Sequence, residues 1–159
     1  MAISSDTIQV LTPEGVIDRT AANEPYLEAI DALSDDALLD FHRQMSVIRR
    51  FDSEASNLQR QGQLALWIPS VGQEAAQVGS AAASREQDHI CPAYREHVVA
   101  RMRGVDLMRI IEMLRGIDHG GWDPKTNRNF HLYTLVIGSQ VLHATAVLLA
   151  SQAARPATV

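Results

Sequence analysis

The sequence predicts a soluble, mostly helical domain with short extended segments between its helices. Two observations carry this. Long stretches place apolar residues at intervals of three and four, and two short apolar runs, "QLALWIP" and "TLV", interrupt them. With 159 residues, 46% of them hydrophobic, the chain is long enough to bury a core of its own. A net charge of -5 with no basic cluster argues against nucleic acid as a partner. No apolar run approaches the roughly 18 residues of a membrane span, and the nearest, "VLHATAVLLA", reads as a buried helix. The N-terminus "MAISSDTIQV" lacks the charged and apolar regions of a secretory signal, and the single cysteine, Cys91, has no partner for an internal disulfide. A reduced, cytoplasmic protein is expected.

Residues 1–33 read as a leader. Within it "IQVLTPEGVI" brackets Pro13-Glu14-Gly15 with two apolar runs, the pattern of a small hairpin. From Ser34 the pattern turns helical, with Ser34 as N-cap, Asp35 and Asp36 in the first turn, and Leu38, Phe41, Met45, Ile48, Ala55 and Leu58 at helical spacing. Gly62 is the expected stop. "QLALWIP", closed by Pro69, is expected to be extended. The next helix, "GQEAAQVGSAAAS", gathers Gly72, Ala75 or Ala76, Gly79 and Ala82 or Ala83 on one face. Such a face admits the close approach of another backbone: ordinary tight helix packing, or packing that positions a ligand or a second subunit.

Pro92 keeps Cys91 extended and starts a turn, so Tyr94 and Arg95 fall at or just before the first position of a helix. Free N–H groups and the positive dipole end are expected there, with Arg95 adding charge-assisted hydrogen bonds and Tyr94 a hydroxyl. Phosphate or carboxylate would suit the place. The plainer reading is a solvated arginine beside Glu96. "VDLMRIIEMLRG" then forms an amphipathic helix with Leu107, Ile110, Ile111 and Leu114 inward and Gly116 as terminator. "IDHGGWDPKTNRNFHLY" has no periodicity and reads as a functional loop, followed by the short extended "TLV" and a helix from Gly138 to about Ala154. None of the six histidines has metal-ligand spacing, and no P-loop, G-x-G-x-x-G or G-x-S-x-G motif is present.

Read in order, "IRRFDSEASNLQRQGQLALWIPSVGQEAAQVGSAAAS", "DHICPAYREHVVARMRGVDL", "LRGIDHGGW" and "HLYTLVIGSQVLHA" resemble the N-terminal part of the alpha subunit of thiamine-diphosphate-dependent 2-oxoacid dehydrogenases. Pyruvate and branched-chain members share these landmarks, and the resemblance spans roughly residues 38 to 145. It implies an α/β thiamine-diphosphate-binding fold of α/β/α layers around a parallel sheet, here truncated and mostly helical, with residues 34–159 as the N-terminal portion of that domain. By the same resemblance Tyr94 and Arg95 contact the diphosphate, and Leu135 and Ile137 lie beside the aminopyrimidine. Leu66 and Trp67 line the substrate pocket, and His119 lies near the active-site mouth. Thr134, Val136, Ser139 and Gln140 match the ligands of a structural potassium ion.

The implied activity is oxidative decarboxylation of a 2-oxoacid, pyruvate first and branched-chain 2-oxoacids second, with acyl transfer to lipoyl groups. The implied partners are a beta subunit, in a two-alpha, two-beta heterotetramer, and a lipoyl acyltransferase component. Family members continue into a G-D-G motif with paired asparagines that holds magnesium; this sequence reaches Val159 without it. The 159 residues are therefore expected to be inactive alone. A non-catalytic fragment that only binds partner subunits is the alternative.

Overall fold

A computed structural model describes residues 8–118 and 121–153. The chain divides into two compact units, the first ending at Asp40 and the second beginning at Phe41.

In the first unit the expected hairpin forms around a single antiparallel bridge, Leu11 to Ile17. The Thr12 N–H donates to Val16 O and the Asp18 N–H to Val10 O. A helix that the sequence reading did not anticipate, α1 (Glu24–Asp31), follows, with proline in its first turn and Glu24 at its positive end. Asn23 precedes it and is buried, its amide donating to the carbonyls of Gln9 and Asp18. Arg19 and Asp31 form a two-pronged ion pair on the surface.

Helix α2 (Asp35–Arg60) starts where Ser34 predicts, the Ser34 hydroxyl accepting from the Ala37 N–H at 3.2 Å. It stops as Gly62 predicts: Gly62 takes φ 72°, its N–H donates to Gln59 O, and the Gln63 N–H donates to Leu58 O. That closure needs a residue in the left-handed region, which glycine enters without strain. Within α2, Ile48, Asp52 and Ala55 are buried, whereas Leu38 is exposed despite its helical spacing.

The second unit holds the core. Ala55, Leu64, Trp67, Ala81, Val99, Ala100, Val105, Ile110, Ile111, Leu114, Trp122 and Phe130 form one buried cluster, and Ile48, Val78 and Val98 form another. Residues 64–69 are non-helical, as the closing proline implies. Helix α3 (Glu74–Ala83) packs on α4 (His97–Met102). The small-residue face of α3 is a correction. Its buried residues are Glu74, Gln77, Val78 and Ala81, while Ala75, Ala76, Gly79, Ala82 and Ala83 face solvent. The helix turns its longer side chains inward because Val78 fills the core and Glu74 and Gln77 find polar partners there.

Helix α5 (Leu107–Leu114) is capped by Asp106, whose carboxylate accepts from the Met108 N–H, and ends at Gly116 as expected. The loop after it contains one 3-10 turn at Pro124–Thr126 and is tied back by the Trp122 indole, which donates to Phe130 O. Helix α6 (Ser139–Ala153) forms where expected but none of its residues is buried. The expected buried helix is thus a helix with Val141, Leu142, Leu148 and Leu149 exposed. The expected strands are also not formed among the described residues. In their place stands one parallel bridge, Ile90 to Phe130, flanked by hydrogen bonds from Ile90 N–H to Asn129 O and from His131 N–H to Ile90 O. No helix among the described residues is long and apolar enough to cross a membrane.

Candidate functional site

The turn that carries Tyr94 and Arg95 is held from both sides. From beyond it, Thr134 donates its backbone N–H to Ala93 O at 2.8 Å and its hydroxyl to Pro92 O at 3.1 Å. From α3, the Gln77 amide donates to Arg95 O at 3.0 Å while its own carbonyl accepts from the Val98 N–H. The His97 N–H donates to Arg95 O as well, at 2.8 Å. Tyr94 and Arg95 therefore stand just before α4, as the proline predicts. The physical reason given for an anion there needs correction. Helix α4 has only six residues, and the N–H groups of His97 and Val98 at its start are already taken. Attraction for an anion falls to the Arg95 guanidinium itself.

That guanidinium lies over the Tyr94 ring, Cζ 5.6 Å from the ring centroid. Its Nε–H is buried and has no hydrogen-bond partner. A buried donor without an acceptor is unfavourable by about 1–3 kcal/mol. Glu96 does not neutralise the arrangement through this nitrogen; its carboxylate accepts from the Arg95 backbone N–H. Leu66, Ile68, Tyr94, Arg95, Leu135 and Ile137 line one open cleft of about 330 Å³. Five of these six were singled out from the sequence. The walls are aliphatic, with the cation and the phenol the polar groups among its lining residues.

Trp67, expected on the pocket wall beside Leu66, is buried instead. Successive residues of an extended segment point to opposite sides. Leu66 and Ile68 take the cleft side and Trp67 the core side, where its indole stacks on His97 at 4.6 Å between centroids and meets Phe51 edge-on at 5.3 Å. His119 lies outside the described residues. The four residues matched to a potassium site run from the extended segment at Thr134 through the turn after Val136 into Ser139 and Gln140, the first residues of α6. Thr134 is engaged with Pro92 and Ala93, and the Val136 carbonyl accepts both the Ser139 N–H and the Ser139 hydroxyl. The Gln140 side-chain oxygen is buried without a partner.

Several residues that hold the site gave no signal in the sequence. His97, fully buried, approaches the Ile68 carbonyl through Nε2 at 3.0 Å and the Tyr133 hydroxyl through Nδ1 at 2.8 Å. A carbonyl only accepts, so Nε2 carries the proton and Nδ1 accepts from Tyr133. Burial supports both assignments, pushing the imidazole below its ordinary range and the phenol well above its own. Asp52 is buried in α2 and accepts the backbone N–H and the hydroxyl of Ser70, which fixes the end of the segment carrying Leu66 and Ile68. Glu74 accepts from Arg49 and from the Gly72 N–H, and its carboxyl is held below the usual range, chiefly by the Arg49 hydrogen bond. Helical periodicity marks apolar faces, and none of these polar residues stands out against it.

The sequence matches the family described as Dehydrogenase E1 component over residues 42–158. The chain belongs to the dehydrogenase E1 component family. Among its relatives, the 3-methyl-2-oxobutanoate dehydrogenase subunit alpha of Mycobacterium tuberculosis is 37% identical over 152 residues, covering 96% of this chain and 40% of the relative. The pyruvate dehydrogenase E1 component subunit alpha of Bacillus cereus is 32% identical over 149 residues, covering 94% of this chain and 38% of the relative. Its counterpart in Bacillus subtilis is 29% identical over 143 residues. The chain thus spans about two fifths of the length of the curated relatives it matches. Among the described residues, no group of three or more His, Cys, Asp or Glu side chains is placed to hold a metal ion. The E1 family match, which covers most of the second unit, includes every residue of the cleft.

Proposed function

We propose that this chain supplies part of the thiamine diphosphate site of the alpha subunit of a 2-oxoacid dehydrogenase. The observation that carries the reading is the convergence of Tyr94, Arg95, Leu135 and Ile137 on one cleft with Leu66. Its chemistry fits the cofactor. Arg95 lines the cleft, and a guanidinium binds phosphate in a bidentate manner. The Tyr94 hydroxyl adds a donor. Leu135 and Ile137 offer backbone and aliphatic surface to the aminopyrimidine, and Leu66 and Ile68 add further aliphatic lining. When bound, thiamine diphosphate supplies the electron-accepting centre for decarboxylation of a 2-oxoacid.

The substrate is a 2-oxoacid. The sequence reading puts pyruvate first, but the 37% identity to a branched-chain relative against 32% and 29% to pyruvate relatives favours a branched-chain 2-oxoacid. The remainder of the reading comprises an α/β/α fold with a parallel sheet, a beta-subunit partner in a two-alpha, two-beta assembly, and a lipoyl acyltransferase as acyl acceptor. The parallel bridge at Ile90 and Phe130 and the exposed apolar run Leu135-Val136-Ile137 support it. A magnesium ion on the diphosphate belongs to the same reading. So does a potassium ion at Thr134, Val136, Ser139 and Gln140, for which the unpartnered Gln140 oxygen is the supporting observation.

The test is thiamine diphosphate binding by calorimetry, with magnesium present, to the chain alone and with a 2-oxoacid dehydrogenase beta subunit. Arg95→Ala should weaken binding by more than about tenfold, the size of one lost charge-assisted contact, with the circular dichroism unchanged. Equal affinity of the two proteins would refute the role of Arg95.

A further inference from the structure

The cleft is built from three segments that are far apart in sequence: Leu66 to Ile68, Tyr94 to Arg95, and Leu135 to Ile137. One buried residue, His97, is bonded to the first through its side chain and joined to the other two, to Arg95 through its backbone and to the third through Tyr133. Its backbone N–H donates to Arg95 O at 2.8 Å. Its Nε2–H donates to Ile68 O at 3.0 Å. Its Nδ1 accepts from the hydroxyl of Tyr133, two residues before Leu135, at 2.8 Å. The ring cannot trade these partners for water, because it is fully buried, stacked on Trp67 at 4.6 Å and edge-on to Phe51 at 6.4 Å. Tyr133 is fixed in turn by edge contacts with Trp122 and Phe130.

We infer that His97 is a positioning residue for the cleft: touching no ligand itself, it sets the spacing between the Ile68 wall, the Arg95 guanidinium and the Leu135–Ile137 wall through its bonds to Ile68 and Tyr133. The inference rests on the thiamine diphosphate reading above. Spacing matters because a gap of only about 0.5–1 Å between a ring and an aliphatic wall forfeits a quarter to a half of each dispersion contact. The neutral imidazole also places one donor and one acceptor in its plane, at two different edges of a rigid ring. A flexible polar side chain offers the same groups, and an aliphatic one offers neither and leaves the Ile68 carbonyl and the Tyr133 hydroxyl without partners.

The experiment compares thiamine diphosphate affinity, with magnesium, for the wild-type chain and for Tyr133→Phe, His97→Leu, His97→Gln and Arg95→Ala, in the same assembly state as the test above. Binding is read by calorimetry and by tryptophan emission, at a temperature where urea curves show each variant folded. Tyr133→Phe keeps the ring packing and removes only the hydroxyl. The dissociation constant should rise about tenfold in Tyr133→Phe, equivalent to one lost hydrogen-bond interaction, and by at least as much in His97→Leu, which loses two. His97→Gln, which retains a donor and an acceptor, should recover most of the affinity. A purely structural role would instead lower the unfolding midpoint of both His97 variants and leave the affinity of folded Tyr133→Phe untouched. Wild-type affinity in Tyr133→Phe and His97→Leu, with Arg95→Ala still impaired, overturns the positioning role and leaves the cofactor reading standing. If wild type and Arg95→Ala bind equally, or neither binds, the cofactor reading itself fails and the inference falls with it.

Discussion

The hydroxyl of Tyr133 and Nδ1 of His97 lie 2.8 Å apart across 36 residues of sequence, the imidazole buried and the half-buried phenol packed against the core. Neither group is charged at neutral pH, because burial lowers the proton affinity of the imidazole and raises that of the phenolate.

This pairing predicts a pH dependence. The folded imidazole has a pKa below its ordinary 6.5, with burial the largest cause and the Ile68 carbonyl, Asp52 and Glu96 opposing it. Above about pH 6.5 both folded and unfolded chains hold His97 neutral and stability is full. As pH falls below that value the unfolded chain takes up the proton first, so stability is lost progressively down to the depressed folded pKa. His131 contributes in the same window, being lowered by burial and then by His89 and His143. Urea midpoints measured across pH should decline from about pH 6.5 downward, and the decline should be shallower in His97→Gln than in wild type. Carboxylates such as Glu74, ordinarily at 4.5, act only at lower pH. Parallel curves for the two proteins would contradict a buried neutral His97.

Arg103 is predicted to tie the segment that follows α3 to the loop at Arg128. It is buried at the end of α4, and its guanidinium donates to Ser84 Oγ at 2.6 Å and to the carbonyls of Arg85 at 2.8 Å, Glu86 at 3.1 Å and Arg128 at 2.8 Å. Removing it breaks several hydrogen bonds from a charged, buried donor, each contributing about 1.5–3 kcal/mol. Arg103→Met should lower unfolding free energy by about 3 kcal/mol or more, measured by urea denaturation. Arg103→Lys should recover little, since a single ammonium cannot span the planar fork.

The exposed small-residue face of α3 yields the opposite sign. A Cβ placed on Gly79 meets nothing within 4 Å. Gly79→Ala should therefore stabilise the chain by about 0.5–1 kcal/mol, the helix-interior preference of alanine over glycine. Thermal melts check this. A lowered midpoint would mean that this face is packed in solution, and a gain in stability together with weakened association to a beta subunit would locate the packing in the assembly.

Local rules made much of this protein legible. Ser34, Gly62 and Gly116 marked helix ends because capping and left-handed closure depend on a residue and its near neighbours alone. The Pro13-Glu14-Gly15 hairpin and the amphipathic α5 followed for the same reason. Pro92 placed Tyr94 and Arg95 before α4, and the ordered motifs named the family and five of the six residues of the cleft. What the sequence by itself could not determine was facing and partnership. That α3 turns Glu74 and Gln77 inward, that Leu66 and Trp67 look in opposite directions, and that α6 lies exposed depend on what each side chain meets across the fold. Tertiary structure alone decided that Gln77 and Thr134 hold the Tyr94–Arg95 turn and that His97 joins Ile68 to Tyr133. Such bonds link groups tens of residues apart, and a buried polar residue is stable only when a distant partner arrives, which no periodicity records.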